Sequence, residues 1–336
     1  MSSYPAIPAE VFLEDREPRF DATIPRQFTH KRAIEEIFLT DVLVREKRKQ
    51  MLGCAQLPRS HALYNEVENG FHDLLLILEI GREGMTIYGH GWLEVSKQTA
   101  FVMSGLQIEV VDLQALRQGE APAELVIEVP LGGERRDRKG RIRGYTLTGT
   151  GTIDGRLAVE FSGEALLIPQ ALYERVRSVR VEGGPEKSRP APVPVEPARV
   201  GRRSPRNVVV GDAVYVEGEL RCALIADTSH PSFFEHPLDH VPGMLMLETA
   251  RQAALLYLGA LGWPPAGTVL DACVARFTQY AALSPPATCR VLAGERPPAA
   301  ESPPDASAPA EYLRVHFAQV GQDIGHADLR LRHVGA

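Results

Sequence analysis

No apolar run in this chain approaches the roughly 20 residues needed to span a bilayer. The first ten residues lack the basic start and apolar core of a secretory signal. Neither a membrane protein nor an exported one is expected. Cysteine is sparse: Cys54, Cys222, Cys273 and Cys289 are scattered, without the spacing of metal ligands. Reduced thiols in a cytoplasmic protein are the simplest reading. The Gly/Thr-rich stretch 148–155 lies in a strand-and-hairpin context, so it is not a phosphate loop. There is no Gly-x-Ser-x-Gly elbow and no cysteine-nucleophile motif. The net charge is −6, and the basic runs 45–49 and 135–143 are short and lack interleaved aromatics. Nothing there marks a nucleic-acid surface. No cofactor and no metal is implied.

What is present is an ordinary globular composition, 44% hydrophobic and 24% charged, over 336 residues. That length suggests two domains. Residues 1–28 read as an irregular N-terminal arm. Strand patterns follow at 37–44 and 49–57, then a helix at 74–90. Further strands are expected at 100–111, 125–129, 145–153 and 157–161, with Asp154-Gly155 as a hairpin turn and the charged segment 132–144 as a loop. A short helix is expected at 170–175. Residues 182–205 hold six prolines in a polar background and read as a linker. A second unit opens with strands at 207–216 and 220–226, a loop at 230–243 and a helix at 244–261. It closes with strands at 268–277, 287–293, 312–320 and 325–333, with a Pro/Ala/Ser-rich loop at 296–309.

Each half therefore reads as two strands, one long apolar helix and several antiparallel strands. The units are placed at 29–181 and 206–336. The expected fold is α+β, a double hotdog: two tandem units, each an antiparallel sheet wrapped around a central helix, packed as a pseudo-dimer. The chain is expected as a monomer of this kind or as a higher homo-oligomer.

The helix at 244–261 is apolar around nearly its whole circumference, which marks a buried helix. Yet Glu248, Arg251 and Gln252 lie within it, and burying two such ions costs several kcal/mol each unless they pair or meet a polar ligand. The pattern recurs upstream. Glu79 and Arg82 sit in the other apolar helix, and each Glu follows a His, His61 or His230, by 18 residues. His72 and His240 are read as matching members of the same repeat, an internal duplication.

Two readings of Glu248 and Arg251 stand side by side. One is a structural ion pair. The other is an active-site pair, with Glu as general base and Arg as anion clamp. The loop before the helix favours the second: Asp239 and His240 crowd the entrance with His230, Glu235 and His236, and Pro242-Gly243 lets backbone N–H groups approach an oxyanion. His236, Asp239 and His240 could instead ligate a metal, a weaker reading because a Pro-Gly helix entry follows. In the first half His72-Asp73 replaces Pro-Gly and reads as a helix cap, and Glu83 stands where Gln252 stands. His61 and His230 read as loop-bracing residues.

Residues 230–252, from His230-Pro231-Ser232-Phe233 through His240-Val241-Pro242-Gly243 to Glu248-Thr249-Ala250-Arg251-Gln252, closely resemble the signature of the AfsA-type (A-factor biosynthesis) proteins. Val200-Gly201-Arg202, Asn207 to Val210, and His30-Lys31 extend the resemblance, which spans about residues 28–333. It implies a tandem hotdog acyltransferase that moves a β-ketoacyl group from an acyl carrier protein to the hydroxyl of dihydroxyacetone phosphate, toward γ-butyrolactone signalling molecules. It implies catalytic roles for Glu79, Arg82, Glu248 and Arg251; His72, Asp239, His240, Gly243 and Gln252 are expected at the substrate. Gly81-Arg82-Glu83 departs from the Arg-Gln pattern. A dehydratase or thioesterase on the same fold, and a non-catalytic acyl-binding protein, are the alternatives.

Overall fold

The computed structural model describes residues 16–335 except 68, 97, 171, 174–190 and 295–308. All but the last residue of the expected loop at 296–309, and half of the short helix expected at 170–175, lie outside the described residues. The first half contains β1 (Leu39–Arg45), β2 (Gln50–Leu57), α1 (Leu74–Ile87), β3 (Thr99–Val110), β4 (Ala123–Pro130), β5 (Glu134–Arg136), β6 (Ile142–Ile153) and β7 (Arg156–Pro169). The second contains β8 (Val210–Val216), β9 (Glu219–Leu224), α2 (Gly243–Ala260), β10 (Thr268–Phe277), β11 (Thr288–Ala293), β12 (Ala310–Gln319) and β13 (Gln322–His333).

All strands join one antiparallel sheet in the order β1-β2-β4-β6-β7-β3-β10-β13-β12-β11-β9-β8, with β5 attached to β6. Read inward from either edge, the order is the same position for position. The halves meet where β3 pairs with β10, from Ala272 opposite Glu109 to Arg276 opposite Gly105. This is the pseudo-two-fold arrangement of a tandem hotdog. It arises because each half leaves the strand after its helix at the boundary.

Both helices are sunk against the sheet and touch each other. In α2 nearly every residue from Met244 to Leu258 is buried, which accounts for its lack of a polar stripe. One continuous apolar core runs through both halves and includes Leu76, Ile77 and Ile80 of α1 and Leu245, Leu247 and Leu256 of α2.

Three expectations differ from the structure. The segment 132–144 is not wholly loop: β5 pairs with β6, and Asp137 accepts from the side chains of both Arg141 and Arg143, closing a charged hairpin. The last strand of the first half runs to Pro169 rather than 161, because β7 is paired along both sides, by β6 and by β3. The repeat is also offset by one at the helix entrances. Phe71 bridges Arg117 and His240 bridges Ala282, while the backbone N–H of His72 donates to Leu116 and that of Val241 to Ala281. His240 therefore corresponds to Phe71, and His72 to Val241. Length from the first His matched them only approximately.

Candidate functional site

Glu79 and Glu248 each project from the middle of a buried helix, and each is met by a cation from the segment preceding the first strand of its own half. Lys31 donates to Glu79, and Arg202 donates to Glu248 at 2.6 Å. The cation-bearing segments are held by carboxylates from the opposite half. Glu66 accepts from the backbone N–H groups of Arg203 and Ser204, and Glu235 from those of Arg32 and Ala33. Behind them, His61 faces Glu36 at 3.4 Å and His230 meets Asn207 at 3.0 Å. The Nδ1 of each histidine accepts from N–H groups two and three residues on, the loop-bracing role expected of both. The two-fold thus extends to individual hydrogen bonds.

Around Glu248 the network is closed. One oxygen accepts from Arg202 and Gln252, and the other from Arg251. Arg251 also reaches across the halves to Asp73 at 2.6 Å, and the other Asp73 oxygen caps α1 through the N–H of Leu75. Burial pushes the Glu248 carboxyl up, but the charges of Arg202 and Arg251 outweigh it and hold it below the usual carboxylate range. Gln252, expected at the substrate, donates both amide hydrogens to protein, to Asn207 O and to Glu248, and accepts from Val209. Nothing remains for it to donate to a ligand.

Beside this network lies a cavity of about 30 Å³, lined by Tyr64, His72, Asp73, Arg202 and Arg251 among others. It has room for a few waters at most. His72 is buried, its two ring nitrogens without hydrogen-bond partners among the described residues, and burial lowers its pKa, favouring the neutral form.

Around Glu79 the network is more open. Arg82 grips both Glu79 oxygens, at 2.7 and 2.6 Å, yet its side chain remains 33% accessible against 10% for Arg251. Burial pushes the Glu79 carboxyl up, but Arg82 and Lys31 outweigh it and bring it down to about 2. Glu83 occupies the place of Gln252. Its Oε2 accepts from the N–H groups of Phe38 and Leu39, as Gln252 accepts from Val209, but its Oε1 has no hydrogen bond among the described residues and lies 3.9 Å from Lys31 Nζ. Burial, with the nearby Glu79 charge, raises the Glu83 carboxyl to about 7.

The entrance to α2 carries the remaining expected residues. Pro242 provides no side-chain cap, and Gly243 is the first helical residue. A Cβ on Gly243 would stand 2.8 Å from the Met103 methyl, the end of a flexible side chain that packs against the helix entrance from β3. His240 bonds to Asp239 at 2.9 Å, and His236 bonds to Glu235. Among the described residues, no three His, Cys, Asp or Glu side chains gather as a metal site. The four cysteines are buried and free, and no helix among the described residues is long and apolar enough to cross a membrane.

Lys31, Arg202, Glu66 and Asp73 complete the two networks but were not singled out as site residues from sequence. The signal was present for one pair, since Glu66 and Glu235 are separated by the same interval as Glu79 and Glu248.

Comparison with known proteins supplies the family. The A-factor biosynthesis hotdog domain matches residues 13–169 and again 184–335. The chain is 36% identical over 233 residues to a 2-oxo-3-(phosphooxy)propyl 3-oxoalkanoate synthase of Streptomyces virginiae, covering 69% of this chain and 76% of that one. It is 31% identical over 276 residues to a protein of the same name from Streptomyces coelicolor, covering 82% of each. A third so named, from Streptomyces griseus, is 32% identical over 299 residues, with 83% of this chain and 87% of that one covered. Twice matched along its length and folded as a pseudo-symmetric pair, the chain belongs to the A-factor biosynthesis hotdog family.

Proposed function

We propose that this chain transfers a 3-oxoacyl group from an acyl carrier protein thioester to the primary hydroxyl of dihydroxyacetone phosphate. The hydroxyl oxygen attacks the thioester carbonyl, the C–S bond breaks, and the hydroxyl proton ends on the departing thiol. The products are a phosphorylated keto ester and free carrier thiol, with no other reactant. The names of the Streptomyces relatives describe the synthesis of such an ester.

The observation that carries this reading within the chain is the partly exposed Glu79–Arg82 pair set in a buried helix. A guanidinium with accessible surface in an apolar wall suits a phosphate. Glu79 is a weak base while Arg82 and Lys31 hold it at about 2. A phosphate that competes for Arg82 raises its basicity, so binding of the acceptor itself readies the base. The uncapped N–H groups at the start of α2 suit the developing oxyanion. The Glu248–Arg251 pair, saturated by protein groups, serves mainly to fix the two helices together.

Incubation with a 3-oxoacyl carrier protein, with and without dihydroxyacetone phosphate, tests this by mass spectrometry. The phosphorylated ester is expected only with the acceptor. Free 3-oxo acid formed at the same rate without acceptor identifies a thioesterase, and loss of water from a 3-hydroxyacyl carrier protein identifies a dehydratase.

A further inference from the structure

Arg82 and Arg251 occupy equivalent places but do not have equivalent partners. Arg251 holds Glu248 with Nη2 and Asp73 with Nη1. Arg82 holds Glu79 with Nη2 and Nε, and its Nη1 has no hydrogen-bond partner among the described residues. The difference traces to one position. Asp73 is the residue before α1, and the residue before α2 is Pro242, which has no carboxylate to offer. The consequence is visible in exposure, with the Arg82 side chain 33% accessible and Arg251 10%. The space beside Arg251 is correspondingly small, about 30 Å³.

We infer that Asp73 is a built-in occupant of an oxyanion subsite, and that the chain keeps one open subsite of this kind, at Arg82. The carboxylate on Arg251 shows what the geometry accepts: an anionic oxygen on Nη1, delivered from the neighbouring helix entrance. At Arg82 that oxygen comes from the ligand. Its chemical class is a phosphate, with two sources in the proposed reaction: the phosphomonoester of the acceptor, or the phosphodiester of the carrier's pantetheine arm. Naming these sources rests on the proposed acyl transfer. The count of subsites, and Asp73 as the group closing one, do not.

Equilibrium titration of the full chain with glycerol 3-phosphate, a non-reacting phosphomonoester, and separately with 4′-phosphopantetheine, tests the inference. One glycerol 3-phosphate per chain is expected. Arg82→Gln weakens it by about tenfold to a hundredfold, the range of a charge-assisted hydrogen bond. Asp73→Gly loses little of the helix cap, because Gly at that position costs far less than Ala, and it frees Arg251 while emptying the space the carboxylate fills. Stoichiometry then rises from one toward two. If 4′-phosphopantetheine binds instead and shows the same Arg82 dependence, the subsite belongs to the carrier arm. Binding unchanged by Arg82→Gln, two sites in the unaltered chain, no binding of either probe at millimolar concentration, or unaltered stoichiometry in a folded Asp73→Gly variant each overturns the inference. Ester formation with any of those results leaves the acyltransferase standing. Arg82-dependent binding without ester formation removes the acyltransferase and leaves the subsite.

Discussion

Arg251 of the second half and Asp73 of the first are joined at 2.6 Å, a contact that ties the middle of one central helix to the beginning of the other. Its counterpart, between Arg82 and Pro242, is impossible. From this asymmetry the two arginines acquire different sensitivities. Arg251→Gln strands Glu248 and Asp73 in the interior, and removal of one partner from a buried ionic network costs about 3–5 kcal/mol. Arg82→Gln leaves the buried Glu79 with Lys31 and is expected to cost less, about 1.5–3 kcal/mol, the range of a hydrogen bond to a charged group. Urea denaturation of the two variants measures the difference. Equal losses contradict the division into a closed and an open pair.

Activity should divide the opposite way. Glu79→Gln is expected to slow ester formation by about 10²–10⁴-fold, the usual contribution of a positioned general base. Glu248→Gln, assayed below its own unfolding temperature, should retain more activity than Glu79→Gln. Release of carrier thiol, followed with a chromogenic thiol reagent, reports both. Greater loss at Glu248 would move the chemistry to the other helix.

Glu83 should make the protein less stable as pH rises. Its folded pKa of about 7 lies above the ordinary 4.5. Between those values the unfolded chain has released the proton while the folded chain still binds it, so stability falls as pH rises through this window and then levels. The ceiling is about 3 kcal/mol for a shift of this size. Glu83→Gln copies Gln252 of the other half, removes the ionisable group and should flatten the profile while raising the melting temperature at pH 8. An unchanged profile across pH 4.5–7 would rule this out.

His230 acts in an overlapping window with the reverse slope, so the two contributions partly offset each other. Burial lowers it from the ordinary 6.5 to about 4. As pH falls below 6.5 the unfolded chain takes up a proton first, and stability is lost progressively down through about 4. The loss at Glu79 comes later, as pH falls from about 4.5 through 2. Compared by thermal melts at pH 7 and pH 5, His230→Asn should gain stability relative to the unaltered chain on going to pH 5, and a constant difference between the two would contradict this.

The helices and the duplication were legible in the sequence because burial left a local mark: apolar residues all round, interrupted by Glu and Arg at fixed spacing. Strand positions followed from β-branched runs, though β7 was underestimated because partners on both sides extended it. The ion networks were only half legible. Lys31 and Arg202 stand far from the carboxylates they meet, in segments with no periodicity, and Arg202 lies within a proline-rich stretch whose composition suggested only a spacer. Residues 191–205 in fact carry a bridge from Pro194 to Gly211 and the contacts of Arg202 and Arg203 with Glu248 and Glu66. The one-residue offset between His72 and His240 was hidden for a similar reason, since only backbone pairing fixes the register of an irregular loop.

The seam where β3 meets β10 has a further meaning. Two separate copies of one polypeptide must alter both of their clefts with every change of codon. Here the copies share a single reading frame, so residue 73 and residue 242 can drift apart, one becoming a keystone while the other clears a doorway.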